Sequence, residues 1–121
     1  MKKEPFNQKE LEAAEEQAEA EDIAVFSYEL KRPFEYNGKT IEKLEFDFDK
    51  LTGADVRAID QELRARNVNV IARSFNSEFI ERVCIRACTQ QIGVDAFRDM
   101  SFRDYIKITQ RGRNFTLSAE L

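Results

Sequence analysis

Alternating apolar and polar residues predict two β-strands between residues 23 and 49. The apolar positions are Phe26, Tyr28 and Leu30 in the first strand and Leu44, Phe46 and Phe48 in the second. Asn37 and Gly38 lie between the strands, and this pair tolerates the positive φ angles of a type I′ turn. We therefore expect an antiparallel hairpin with one apolar face.

The register of this hairpin requires an irregularity in the first strand. A two-residue loop at Asn37-Gly38 would place the apolar residues of the first strand opposite carboxylates of the second. One additional residue in the first strand corrects the mismatch. The corrected pairs are Leu30 with Leu44, Tyr28 with Phe46, and Phe26 with Phe48. Arg32-Pro33 is the expected site of this bulge, because proline cannot donate a ladder hydrogen bond.

The residues after the hairpin predict helices with apolar faces. The first helix begins at Thr52, where Asp55 lies at the position of a capping-box acid, and ends near Arg66-Asn67. The second runs from about Ser77 to Gln91 and ends at Gly93. Its cysteines, Cys84 and Cys88, are expected to be reduced, buried core side chains.

A third helix is expected to begin at Ser101, again with an acid three residues later, and to extend toward Phe115. This helix is predicted to place Phe102, Tyr105, Ile106 and Thr109 on one side. Between the second and third helices, VDAFRDM predicts a single turn that buries Phe97 and Met100. The segment NVNVIARSF fits either a short strand or an extended linker.

Length and charge divide the chain of 121 residues into one domain and a tail. Residues 1–22 hold eight acidic residues and three lysines, a net charge of −5. With only two large apolar side chains, this tail is expected to be mobile, and a solvated helix from Gln8 to Ala20 is the alternative. Residues 23–117 are expected to form a single α+β domain.

The composition argues against most catalytic and cofactor-binding designs. The chain has no histidine, its four glycines are too dispersed for a phosphate-binding loop, and two cysteines cannot complete a four-thiolate metal site. Asp47 and Asp49 are the strongest metal or acid–base candidates, but a polar strand face explains them better. We therefore expect no enzyme activity, cofactor or metal.

Charge and hydropathy also argue against two classes of partner. Acidic neighbours dilute the arginines of the helical part nearly to neutrality, which disfavours nucleic-acid binding. No apolar run approaches the length of a membrane-spanning helix, and the amino terminus lacks the apolar stretch of a secretory signal. We expect neither nucleic acid nor membrane as a partner, and a cytoplasmic location.

Two segments carry a resemblance to a known family. They are YNGKTIEKLEFDFDKLTGADV, from Tyr36 to Val56, and IKITQRGRNF, from Ile106 to Phe115. With Pro33-Phe34 before them, they resemble the tail assembly chaperones of long-tailed phages and prophages, the group of the E, 41 and 14 proteins. The likeness covers about residues 23–117.

The resemblance implies a cytoplasmic assembly factor without catalytic residues. Such a protein would bind the long, helix-rich tape measure protein and help to recruit tail tube subunits. The abundance of phenylalanine, ten residues in a chain of 121, additionally predicts self-association. A secretion or partner chaperone unrelated to phage, a small interaction domain and, less favoured, a nucleic-acid-binding regulatory domain are the alternatives.

Five aromatic or aliphatic side chains are candidate contacts for a protein partner. They are Phe34, Tyr36 and Ile41 near the hairpin tip, and Tyr105 and Phe115 on the last helix. Each has a competing role in completing the core, and for Phe115 that role is favoured.

Overall fold

A computed structural model describes residues 8–13 and 24–121. Residues 8–13 form a short helix. The other residues of the predicted mobile or solvated helical tail, 1–7 and 14–22, lie outside the described residues. None of the helices in the described part of the chain is long and apolar enough to cross a membrane.

The stretch 24–121 forms an antiparallel hairpin followed by helices, which confirms the predicted α+β class. The strands are β1 (Val25–Tyr36) and β2 (Lys39–Asp47), and the helices are α1 (Gly53–Ala65), α2 (Ser77–Ala87), α3 (Val94–Arg98) and α4 (Phe102–Glu120). Short 3₁₀ turns lie at Phe48–Lys50 and Arg73–Phe75. The second of these turns falls in the ambiguous NVNVIARSF segment, which contains no strand in the structure.

The hairpin tip and the position of the bulge agree with the sequence. Asn37 and Gly38 have φ angles of 53° and 76°, as a type I′ turn requires, and Phe34 lies opposite Ile41. The register then shifts between Glu29 and Phe34, a segment that contains Arg32-Pro33.

The predicted size of the bulge was wrong. Glu29 pairs with Lys43 and Phe34 pairs with Ile41. Between these two pairs β1 advances by five residues, whereas β2 advances by two. Three additional residues are therefore accommodated instead of one. The cause is a long-range contact, because the Asp104 carboxylate accepts hydrogen bonds from the backbone N–H groups of Lys31 at 2.8 Å and Arg32 at 3.0 Å.

The predicted cross-strand pairs change with this register. Tyr28 lies opposite Leu44, and Phe26 lies opposite Phe46, whereas Phe48 has left the strand for a 3₁₀ turn. The apolar side chains still share one face, because one and three additional residues both reverse the alternation. The rings of Phe26 and Phe46 stack with their centroids 5.1 Å apart.

The central helix of the fold is α2, which contacts the other helices and β2. Its buried apolar residues are Phe79, Ile80, Val83, Cys84 and Ala87. They join Leu44, Phe46 and Phe48 of the hairpin region and Ile59 and Leu63 of α1 in one core. Phe97 and Met100 are buried beside this core, and both cysteines are buried thiols, as the sequence predicted.

The predicted end of the second helix was wrong. The helix stops at Ala87 instead of Gln91, and Cys88 forms an isolated bridge with Phe46. The Thr89 N–H donates to the Glu45 carbonyl at 2.8 Å, so residues 88–90 follow the outer edge of β2. Pairing with this strand edge satisfies backbone groups that one more helical turn would have left exposed on β2.

Candidate protein-binding groove

The buried face of α4 is not the side on which the sequence placed Phe102, Tyr105, Ile106 and Thr109. Asp104, Ile108, Gly112 and Leu117 point into the protein. Phe102 is 84% exposed and Ile106 is 46% exposed. The Asp104 contact with the hairpin bulge explains this rotation, because a buried carboxylate needs the N–H donors that the bulge supplies.

A groove opens between α2 and α4 beside these exposed residues. It consists of two cavities of about 390 and 600 Å³ that share Ser77, Tyr105 and Ile106 in their walls. We define the α2–α4 groove by Ser77, Glu78, Ile80, Phe102, Tyr105, Ile106 and Arg113. An exposed apolar surface with polar surroundings is typical of a protein-binding site.

Two helix caps and one glycine hold the walls of the groove. The Asn76 side chain accepts a hydrogen bond from the Phe79 N–H at 2.8 Å, and the Ser101 hydroxyl accepts one from the Asp104 N–H at 3.2 Å. A side chain at Gly112 would overlap the Cys84 sulfur, so glycine permits the close crossing of α2 and α4. The groove is thus bounded by helices whose first turns and crossing are both fixed.

A buried ion cluster lies at one end of the groove. Glu81 is only 2% exposed, and its carboxylate accepts hydrogen bonds from Arg98 Nη2 at 2.8 Å and the Tyr105 hydroxyl at 2.8 Å. Burial opposes ionisation of Glu81, but the bonds from Arg98 and Tyr105 outweigh it and hold the pKa of this carboxyl below its usual value. The Tyr105 ring is thereby fixed in the groove wall.

Two polar atoms in the groove wall lack partners. Glu78 Oε2 and Arg113 Nε are buried and have no hydrogen-bond partner among the described residues. They belong to different cavities of the groove, with Arg113 in the smaller one and Glu78 in the larger. The groove wall therefore contains a buried unsatisfied donor at one end and a buried unsatisfied acceptor at the other.

The five predicted contact residues are all half-buried, and the structure does not gather them into the groove. Tyr105 lies in the groove wall. Phe34 and Ile41 face each other across the hairpin, and a methyl group at Gly93 would lie 3.9 Å from the Tyr36 hydroxyl. The Phe115 ring stacks on Phe48 with centroids 5.0 Å apart.

Phe102 and Ile106 were not predicted as surface residues, although the sequence contained a signal for them. Apolar residues on α4 occupy more than one stripe, since Ile106 and Ile108 cannot both face the same side of a helix. Two apolar stripes on one helix indicate that one of them faces outward or a partner. Helical spacing alone does not distinguish the buried stripe from the exposed one.

The strongest metal candidates have a structural role. Asp47 Oδ1 accepts a hydrogen bond from the Asp49 N–H at 3.1 Å and so caps the 3₁₀ turn after β2. Within residues 8–13 and 24–121, no group of three or more acidic or cysteine side chains is placed to hold a metal ion.

Comparison with known proteins identifies the family. A family model described as phage tail assembly chaperone proteins, E, or 41 or 14, matches residues 27–117. No curated protein and no solved structure gave a significant match to the chain. The matched region runs from β1 to near the end of α4 and so includes the hairpin, its bulge and both walls of the groove. The chain belongs to the phage tail assembly chaperone family of the E, 41 and 14 proteins.

Proposed function

We propose that this protein binds the tape measure protein and helps to recruit tail tube subunits while a phage or prophage tail is assembled in the host cytoplasm. The family match over residues 27–117 is the observation that carries this proposal. The exposed Phe102 and Ile106 beside the α2–α4 groove support a role in binding another protein.

The protein acts in this proposal by binding alone, without turnover of a substrate. The charged groups with the most buried positions, Glu81 and Asp104, are occupied by structural hydrogen bonds. Their carboxylates hold an ion cluster and the hairpin bulge, respectively. Reversible shielding of apolar surface on a tail protein needs no reaction centre.

Coexpression with the tape measure protein of the same genome tests the proposal. A tagged form of this protein should retain the tape measure protein on an affinity column and keep it in the soluble fraction. Addition of the tail tube protein should yield a complex that contains all three. A tape measure protein that stays insoluble, or that is retained equally by an unrelated acidic protein of the same size, would contradict the proposal.

Self-association and the five predicted contacts belong to the same proposal. Sedimentation at several protein concentrations should show a species larger than the monomer of 14.1 kDa. Serine substitutions at Phe34, Tyr36, Ile41, Tyr105 and Phe115 should weaken retention of the tape measure protein. All five side chains also pack against the core, so the free energy of unfolding of each variant is measured beside its retention of the tape measure protein.

A further inference from the structure

We propose that the α2–α4 groove binds an amphipathic helix of a partner protein, with an apolar contact face and an acidic residue against Arg113. Only the identification of the partner as a tail protein rests on the proposed assembly function. The chemistry of the occupant follows from the shape and the charge of the groove.

The shape of the groove fits a helix. One wall is α4, and the other is formed by α2 together with the 3₁₀ turn before it and the end of α3. Phe102 and Ile106 lie one turn apart on the same side of α4. Side chains with this spacing form a ridge against which the side chains of another helix can pack. The distance along α4 from Phe102 to Arg113 is about 16 Å, or three helical turns, which matches contacts at positions i, i+4, i+7 and i+11 of an occupant.

The charge of the smaller cavity selects an acidic residue of the occupant. Among the described residues that line this cavity, Arg113 alone carries a charge. Arg113 lines the groove, and its buried Nε has no hydrogen-bond partner among the described residues. A carboxylate of the occupant would form a charge-assisted hydrogen bond with the guanidinium group that carries this atom.

The opposite end of the groove gives the occupant a direction. Glu78 Oε2 is also buried without a hydrogen-bond partner among the described residues, and it lies in the cavity that Phe102 lines. A lysine, arginine or amide donor of the occupant fits this end. The docked helix should therefore carry its acid near Arg113 and its donor near Glu78, separated by the apolar contact face.

Synthetic peptides test the inference without any tail protein. One peptide of about 20 residues, the acidic peptide, carries leucines at i, i+4, i+7 and i+11, with glutamates beside one end of this apolar face and a lysine beside the other. The matched basic peptide carries lysines instead of the glutamates. Fluorescence anisotropy with the full chain should show binding of the acidic peptide that is about tenfold tighter than binding of the basic one.

Variants of exposed residues locate the binding site. Combined Phe102→Ser and Ile106→Ser substitutions should weaken binding of the acidic peptide at least about tenfold, because both apolar side chains lose their contacts. Arg113→Gln should remove most of the preference for the acidic peptide. Ile71→Ser is the matched control, since Ile71 is 91% exposed and lies outside the groove, and it should leave the affinity unchanged.

Four results would overturn the inference. They are equal affinity for the two peptides, no binding of either, unchanged binding after the Phe102 and Ile106 substitutions, and weaker binding in the Ile71 control alone. A dimer that dissociates after the Phe102 and Ile106 substitutions would assign the groove to a second copy. A tenfold gain in peptide affinity after deletion of residues 1–22 would assign it to the chain's own acidic segment.

The two proposals fail in different experiments. If the unaltered protein does not retain the tape measure protein, the assembly function is contradicted. The peptide measurement would still decide which residues the groove binds. If the unaltered protein and the variant with serine at positions 102 and 106 retain the tape measure protein equally, the groove is not its binding site. The proposed assembly function would be unaffected by this result.

Discussion

The Asp104 carboxylate accepts a hydrogen bond from the Tyr28 hydroxyl at 2.8 Å, although 76 positions separate the two residues in the chain. Asp104 also holds the N–H groups of Lys31 and Arg32, so one buried side chain of α4 organises the bulge of β1. Burial opposes its ionisation, but these hydrogen bonds outweigh burial and hold the pKa of Asp104 below its usual value.

Asp104→Asn should destabilise the protein by about 3 kcal/mol, because a charged acceptor of two backbone donors is replaced by an amide with one oxygen. Urea unfolding measures this loss. Asp99→Asn is the control, since Asp99 is exposed, and it should change the free energy of unfolding by less than about 0.5 kcal/mol. Equal effects of the two substitutions would show that the bulge does not depend on the carboxylate.

The free energy of unfolding should fall in acid. Folding lowers the pKa values of Asp104 and Glu81 from ordinary values of 3.8 and 4.5. The unfolded chain therefore binds protons more readily, and stability is lost as the pH falls below about 4.5 and through the lower folded values. Urea midpoints measured between pH 7 and pH 2 test this, and Asp104→Asn should flatten the profile.

Stability should also fall in strong alkali. Burial and the hydrogen bond to Asp104 raise the pKa of Tyr28 from 10.0 to about 12, and burial and Glu81 raise the pKa of Tyr105 in the same direction. The unfolded tyrosines ionise first, so stability is lost from pH 10 upward. Tyr28→Phe should reduce the slope of this alkaline loss, and an unchanged slope would contradict the assignment.

Gly112→Ala should destabilise the protein by about 2 kcal/mol, despite the better helix propensity of alanine. The new methyl group overlaps Cys84 Sγ and lies 3.3 Å from Ile80 Cγ2. In the double variant with Cys84→Ala, the loss should be smaller than the sum of the single losses by about 1 kcal/mol. Thermal or urea unfolding of the four proteins measures this coupling.

Gly53→Ala is the matched control for the Gly112 substitution. Gly53 begins α1, and a methyl group there meets no other atom within 4 Å. The change should alter the free energy of unfolding by less than about 1 kcal/mol, or stabilise the protein. A loss at Gly53 as large as at Gly112 would show that backbone freedom, and not the contact with Cys84, determines the effect.

Gln90→Ala should loosen the outer edge of β2. The Gln90 side chain accepts from the Glu45 N–H at 3.1 Å and donates to the Lys43 carbonyl at 3.0 Å. Its loss should cost about 1 kcal/mol and speed hydrogen exchange at the Glu45 amide. The neighbouring Gln91 is exposed, so Gln91→Ala should leave the exchange of Glu45 unchanged.

Local patterns were sufficient to predict the hairpin, its turn and the capping of α1. Asn37-Gly38 determines the turn by its backbone preferences, and the Thr52 N–H donates to Asp55 Oδ2 at 2.8 Å as the capping pattern indicated. The need for a bulge followed from the alternation of side chains. Its size did not, because Asp104 supplies the contacts from a distant position.

The groove was only partly visible in the sequence for a related reason. Tyr105 was a predicted contact, whereas Phe102 and Ile106 were only placed on one side of α4, because helical spacing does not show which side of a helix is buried. The side of α4 that is buried depends on the contact between Asp104 and the N–H groups of the bulge in β1. The early end of α2 likewise depends on a tertiary contact, the pairing of Cys88 with Phe46.

The 76 positions between Tyr28 and Asp104 mean that the hairpin is synthesised well before the residue that completes its bulge. At typical bacterial and eukaryotic synthesis speeds, Tyr28 is made about 4–15 s before the acid that completes its bulge. The nascent hairpin can form its turn within microseconds, but the helices that pack on its phenylalanine face are synthesised later. During that interval the apolar face of the nascent hairpin stays uncovered, so the unfinished chain is most prone to aggregation before α4 has been synthesised.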